Sequence, residues 1–298
     1  MHVAFFASGG PGNLQAALDV ETDRPDLVHI GLLVTDRPHI PAIELAQSRG
    51  IPVLTGSFDV DCGRWSEACG DAEAEQQYRV RATRYHDHIL TLIKTQEERL
   101  QWKFDLAVLA YRRWIHGDLL EYFHERMINQ HPGDLSVLEG HPPVRRYIGL
   151  NAVSKALNDG VGRTRTSTFL VRKGPDSGEI LCQGPWTRFS FKTVSNETVH
   201  LHEDIQKRES DWPALRFALS GLALGKFGVA LKAKHPDGCK VVIYEGMDQP
   251  YRGVGLLPTE QVHDTLMTED ERRTEEQSQV LNLSTKELYE NTVGHRNR

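Results

Sequence analysis

Three side chains suited to acyl or formyl transfer stand where strand and turn signals could bring them to one sheet edge: Asn129, His131 and Asp176. The stretch "MINQHPGDLS" at 127–136 runs from an apolar pair, Met127 and Ile128, into Asn129, Gln130 and His131, and Pro132 then stops the strand. On an extended chain residues two apart leave the same face, so Asn129 and His131 share a direction and Gln130 points away. Asp176 lies in the turn "GPDSG", where Pro, Asp and Gly supply turn geometry. An amide can donate to a developing oxyanion, an imidazole can move protons, and a nearby carboxylate favours the charged imidazole. A capped strand end, a core histidine and an ordinary turn aspartate would carry the same letters. The surrounding elements have to decide.

A second candidate is "ASGGPGNLQ" at 7–15, between a strand and a helix. Amides at such a turn point outward and the helix dipole favours an anion there. Gly9, Gly10 and Gly12 would admit a phosphate close to the main chain, although a tight turn without ligand is an alternative. The dinucleotide fingerprint is not met, because Gln15 stands where its third glycine belongs. Asp36, after the second strand, keeps a nicotinamide reading open. "HDH" at 86–88 and "HLH" at 200–202 have no obvious carboxylate or cysteine to complete a metal site. No metal is expected.

The elements that must position these groups alternate. "HVAFFA" at 2–7, "VHIGLLV" at 28–34, "IPVL" at 51–54 and "FDLAVLA" at 104–110 read as buried strands. Leu14, Ala17 and Leu18 have helical spacing, as does Ile40 to Gln47. This predicts a doubly wound α/β fold, mostly parallel and Rossmann-like, with ligands at the carboxyl ends of its strands. Gly56 to Gly70 reads as a loop, and Gln77 to Trp102 as one amphipathic helix in which Tyr78, Tyr85 and Trp102 pack. Further predicted are a helix over Gly149–Leu157, strands in "TSTFLVRK" and "EILCQGPW", a helix over Pro213–Phe227, and a late hairpin at 239–257 formed by "CKVVIYEG" and "YRGVGLL".

Composition narrows the classes. At 298 residues, 39% hydrophobic and 26% charged, the chain has the makings of a large soluble core. A net charge of -6 argues against a general nucleic-acid binder. No apolar run approaches the roughly 20 residues that cross a bilayer, and no basic region precedes the first apolar run, so neither a membrane nor a signal peptide is expected. Cys62, Cys69, Cys182 and Cys239 are too scattered for a disulfide scaffold and read as structural or incidental thiols. The expectation is a cytoplasmic protein with small-molecule partners. A catalytic domain over 1–267 would precede a charged tail over 268–298, mobile or docked on a partner chain; Ser284 with Glu287 could cap a short helix there, and a homodimer is compatible with this.

Several segments together resemble one family. "FASGGPGNLQAAL", "TDRPHIPAIELAQSRGIPVL", "FDLAVLAYRRWI", "INQHPGDLS", "STFLVRKGPDSGEILCQ" and "IQKRESDWPAL" occur in the order seen in 10-formyltetrahydrofolate-dependent formyltransferases, and the likeness spans most of 1–230. It is strongest to the glycinamide ribonucleotide transformylases of purine synthesis. The resemblance implies that Asn129, His131 and Asp176 are the catalytic set. It implies that Gly10, Pro11, Gly12 and Asn13 hold the acceptor's phosphate, with Glu209 near the acceptor amine. Tyr111, Arg112, Arg113, Trp114 and Ile115 would line the folate pterin, Arg113 matching an arginine of that wall. It implies 10-formyltetrahydrofolate as co-substrate, with no metal and no covalent enzyme intermediate.

The departures are equally specific. The family's H-P-S-L-L-P is here "HPGDLSVLEGHPPVRRYIG", with Gly133, Asp134 and Ser136 substituted and a longer segment before Gly149. Arg145 and Arg146 in that segment could reach an anionic substrate, or stand solvated on the surface. Residues 56–102 and those after 230 are also longer than in the short purine enzyme. Formyl donor chemistry is therefore expected, with the acceptor open: glycinamide ribonucleotide, a sugar nucleotide or a natural-product amine. The alternatives are formyltetrahydrofolate hydrolysis, or folate or nucleotide binding on a decayed enzyme fold. Starting directly at the first strand, without the regulatory domain usual in the hydrolase, favours transfer; an acidic tail disfavours a tRNA acceptor.

Overall fold

The computed structural model describes residues 1–257. Strands β1 (His2–Ala7), β2 (His29–Thr35), β3 (Val53–Thr55), β4 (Leu106–Ala110) and β5 (Met127–His131) form the parallel part of one sheet. A short ribbon, β6 (Leu138–Glu139) with β7 (Val144–Arg145), follows β5. β8 (Arg163–Thr164) leads into β9 (Ser167–Leu170), antiparallel to β5, and β10 (Ile180–Gln183), antiparallel to β9, while β11 (Thr187–Arg188) pairs back with β8. β12 (Phe227–Lys234), β13 (Lys240–Tyr244) and β14 (Met247–Asp248) make a separate antiparallel sheet, and β15 (Val254–Gly255) joins the main sheet beside β10. The main sheet is eight-stranded, in the order β15-β10-β9-β5-β4-β1-β2-β3.

Helices cover both faces, which is why the inner strands are apolar on both sides. Val3 and Phe5 of β1 pack into one core with α1 (Gly12–Asp23) and α2 (Pro41–Ser48); Ala4 and Phe6 pack into the other with α3 (Phe58–Cys62), α4 (Trp65–Ala68) and α5 (Ala72–Leu100). Asp71 caps α5, accepting from the amides of Glu73 and Ala74, both at 2.9 Å. The buried stripe of α5 runs Tyr78, Ala82, Tyr85, Ile89, Ile93. α6 (Asp118–Tyr122) joins this second core through Leu119, and α7 (Ala152–Asn158), α8 (Asn196–Gln206) and α9 (Trp212–Ala223) follow, α9 lying with α1 in the first core. Because β2 and β4 flank β1 on opposite sides, the chain reverses direction of travel across the sheet there. In open sheets of this kind such a reversal is where a ligand site is expected, at the carboxyl ends of β1 and β4. Among the described residues no helix is long and apolar enough to cross a membrane.

Several expectations need correction. Residues 56–70 are not all loop: α3 and α4 form there because Phe58 and Cys62, four apart, both bury against α5. The helix expected from Gly149 starts at Ala152, since Gly149 has φ +79. The late hairpin at 239–257 does not form as read. β13 pairs with β12, whose alternating Phe227, Val229 and Leu231 follow the turn at Gly225 (φ +67), and β15 joins the main sheet instead. The tail from 268 and its Ser284–Glu287 cap lie outside the described residues.

Candidate active site

β5 carries its side chains as alternation requires. Gln130 turns to one face, where its Nε2 donates to Thr168 Oγ1 at 2.8 Å. His131 turns to the other and is almost wholly buried. Its Nε2 lies 2.7 Å from the Tyr147 carbonyl oxygen, an atom that only accepts, so Nε2 must carry the proton. Nδ1 is then the nitrogen left for proton exchange, and it sits 3.6 Å from Asp176 Oδ1. Asp176 adopts φ +43 in its turn, and its Oδ2 accepts from the Gly149 amide at 2.7 Å. Asn129 shares the His131 face, and its Oδ1 is buried without a hydrogen-bond partner. An unpaired amide end at a strand edge is costly unless something else completes it. The structure thus places Asn129, His131 and Asp176 at one edge.

The glycine loop faces the same edge from β1. Beside Gly9 and Gly10 there is open space, whereas a Cβ at Gly12 would come 2.6 Å from the indole of Trp212. α1 begins at Gly12 with no acidic residue in its own first turn. The loop is tied to β4: the Ser8 amide donates to the Ala110 carbonyl at 3.2 Å, and Ser8 Oγ accepts from the Arg112 amide at 2.9 Å.

The stretch after β4 divides. Tyr111 and Ile115 are buried, and Arg112 and Trp114 are exposed. Arg113 turns onto acids, its Nε 2.6 Å from Asp36 Oδ2 and its Nη1 2.9 Å from Asp59 Oδ1. Asp36 is therefore taken by an ion pair rather than free for a ribose. Glu209 is exposed on a π-helical segment, Lys207–Asp211, that links α8 to α9. The carboxylate that reaches the glycine loop from this segment is Asp211, buried beside Asn13 and Thr166.

Sequence reasoning missed Asp211, and it misread the altered loop. Asp134 turns inward: its Oδ2 pairs with Arg165 at 2.9 Å and its Oδ1 accepts from Gln183 Nε2 at 2.6 Å. Arg145 is buried against the Asp176 turn, and Arg146 pairs with Glu139 at 2.8 Å and Asp159 at 2.9 Å. Arg145 is thus buried rather than solvated, while Arg146 stands at the surface in ion pairs. His86 is buried among aromatic rings while His88 is exposed, so the pair diverges as helical spacing demands; burial lowers His86 to about 3. His202 Nε2 lies 2.6 Å from Thr164 Oγ1. Among the described residues no group of three or more His, Cys, Asp or Glu is arranged to hold a metal ion.

Comparison with known proteins bears on this geometry. The formyl transferase family matches residues 1–207. The chain belongs to that family. As a formyltransferase it is 27% identical over 221 residues to the phosphoribosylglycinamide formyltransferase of Bacillus subtilis (strain 168), an alignment covering 74% of this chain and 94% of the relative. Among solved structures, the phosphoribosylglycinamide formyltransferase of Anaplasma phagocytophilum superimposes with a TM-score of 0.58 at 19% identity, covering 86% of this chain and 99% of that one. A formyltetrahydrofolate deformylase from Pseudomonas syringae pv. tomato shares the fold, with a TM-score of 0.53 at 17% identity over 81% of this chain and 65% of that one.

Burial makes one further group of this formyltransferase testable. It pushes the Asp211 carboxyl up from 3.8 to about 6, against the opposing pull of Asn13, Lys207 and Thr166. A carboxyl raised on folding favours the native state fully only below its unfolded value, and that contribution is lost as pH rises through its folded value. Asp211→Asn should therefore raise stability at pH 7 by roughly 3 kcal/mol, at ~1.4 kcal/mol per unit, and flatten the pH dependence between about 4 and 6. Denaturant melts across that window check it; an unchanged slope would refute the assignment.

Proposed function

We propose that this formyltransferase moves a formyl group from 10-formyltetrahydrofolate to the primary amine of a small phosphate-bearing acceptor, glycinamide ribonucleotide being the first candidate. The observation that carries this reading is the approach of His131 Nδ1 to Asp176 Oδ1, 3.6 Å, at the end of the strand that also carries Asn129. Asn129 donates to the oxyanion as the acceptor nitrogen adds to the formyl carbon. His131 takes the proton released by that nitrogen at Nδ1, and Asp176 stabilises the imidazolium. Collapse breaks the bond between the formyl carbon and N10 of the folate, and N10 leaves with the proton handed back by the His131 imidazolium. The Gly10–Asn13 loop grips the phosphate, and Glu209 stands at the rim of the acceptor site. Tyr111 to Ile115 flank the folate, with Tyr111 and Ile115 as its apolar wall. The domain boundary at 267 belongs to the same reading.

The B. subtilis relative's name supports the acceptor, and the open space at Gly9 and Gly10 supports a phosphate. The cytoplasm is the proposed setting, where its free cysteines would stay reduced, and neither nucleic acid nor membrane is invoked. A homodimer remains a matter for sedimentation. The test is tetrahydrofolate release from 10-formyltetrahydrofolate with and without glycinamide ribonucleotide. Release that needs the nucleotide is expected. Release without any acceptor would replace transfer by hydrolysis, and none in either tube would redirect the search to another amine.

A further inference from the structure

Three residues of the substituted loop, Arg145, Tyr147 and Gly149, hold both members of the proposed proton-transfer pair. The Tyr147 carbonyl fixes His131 Nε2 at 2.7 Å, and the Gly149 amide fixes Asp176 Oδ2 at 2.7 Å. From the other end, Arg145 Nη1 donates to the Asp176 carbonyl at 2.6 Å, and its Nη2 to the Gly178 carbonyl at 2.5 Å. The turn needs holding. Asp176 has φ +43 and Gly178 φ +126, and left-handed backbone at a non-glycine residue is costly without support.

Arg145 is itself held by the turn that joins β12 to β13 and by the turn that follows β14. Its Nε donates to the Tyr251 hydroxyl at 2.9 Å, its guanidinium carbon lies 5.6 Å from the Tyr251 ring centre, and its Nη2 is 3.8 Å from Asp237 Oδ2. The Tyr251 hydroxyl in turn donates to Asp237 Oδ2. Asp237 Oδ1 accepts from the Cys239 amide at 3.0 Å, within the turn that joins β12 to β13. Burial works against the Asp237 carboxylate, but the bonds from Tyr251 and Cys239 outweigh it and keep its pKa below the usual carboxylate value. A planar guanidinium with several fixed donors can bridge two carbonyls and a phenol at once, which a lysine cannot.

We propose that Arg145, oriented by Tyr251 and Asp237, is a positioning residue that sets the distance between Asp176 and His131, so that these two turns act on the chemistry through it. The proposal rests on the reading of His131 and Asp176 as the reacting pair. Tyr251→Phe keeps the ring over Arg145 and removes only the hydroxyl. In the full chain it should lower kcat for formyl transfer about tenfold, because small misplacements of reacting groups are expensive. KM for both substrates should stay within about twofold, the pattern of an interaction made only in the transition state. Placed on Asp176→Asn, the same change should cost nothing further, since its effect runs through that carboxylate.

Deuterium uptake over 173–178 and at Gly149 is read in parallel and should rise in Tyr251→Phe with the core strands unchanged. If Tyr251→Phe does not fold, Asp237→Asn takes its place. A wild-type kcat, an equal loss in both backgrounds, or a rise in KM alone would each overturn the proposal. Should the wild-type chain transfer no formyl group, the reading of the pair fails by itself. Uptake then decides: a local rise keeps Arg145 as the clamp of the Asp176 turn, and unchanged uptake removes it.

Discussion

His131→Ala should cut turnover by about three orders of magnitude and leave folate affinity within a few-fold of wild type. On the proposed mechanism the imidazole exchanges the proton at Nδ1; Asp176 is engaged by the Gly149 amide through Oδ2, and Asn129 does not titrate. Folate binding is expected to survive because the proposed pterin wall, Tyr111 to Ile115, hangs from β4 rather than β5. The change also strands the Tyr147 carbonyl, which loses its donor at 2.7 Å. An unmet buried acceptor costs about 1–3 kcal/mol, so a melt must accompany the kinetics. Rapid-quench turnover and equilibrium folate titration separate the two effects. Wild-type rates with formyl transfer confirmed would remove His131 from the mechanism.

What the sequence could say about this site depended on range. Asn129 and His131 were legible because strand alternation is local and Pro132 marks the end of the run. The Asp176 turn was legible from its own five residues. Their meeting at one edge was expected, but not the register that brings it about, β9 pairing with β5 with His131 opposite Ser167. The same limit explains the misreadings. Asp134 read only as a substituted position, because its partners, Arg165 between β8 and β9 and Gln183 on β10, lie far along the chain and turn it inward. Arg145 looked like a surface cation, because Tyr251 and Asp237 lie far along the chain. Asp211 was invisible because a π-helical turn shifts which side of the helix it occupies.

The fold shows the same division. Near-continuous apolar runs announced β1, β2 and β4, and the stripe of Tyr78, Ala82 and Tyr85 announced α5. α3 was missed because its inward pair, Phe58 and Cys62, is diluted by acids on the remaining faces. β12 was missed because its flank is largely exposed, so its alternation carries few apolar letters beyond Leu231. In both cases the element is set by what it packs against, information that periodicity does not hold.

Gly133→Ala is the sharper test of how the altered loop serves catalysis. His131, the proposed proton-transfer residue, is followed by Pro132 and Gly133. A Cβ at that glycine would come 2.7 Å from His131 Nε2, 2.8 Å from the Tyr147 carbonyl oxygen and 2.9 Å from Ala152 Cβ. It would lie against the hydrogen bond that sets the histidine's tautomer. The carbonyl belongs to backbone tied on both sides, at Arg145 and Gly149, so the ring has to yield. A tilt of the imidazole moves Nδ1 relative to Asp176, and kcat should fall about a hundredfold with little change in KM. Overpacking of this kind also costs about 1–3 kcal/mol of stability. Gly162→Ala supplies the control, because nothing lies within 4 Å of its added carbon. If Gly133→Ala turns over like Gly162→Ala, the loop tolerates a side chain there. The orientation of His131 must then be held by something other than the Tyr147 carbonyl.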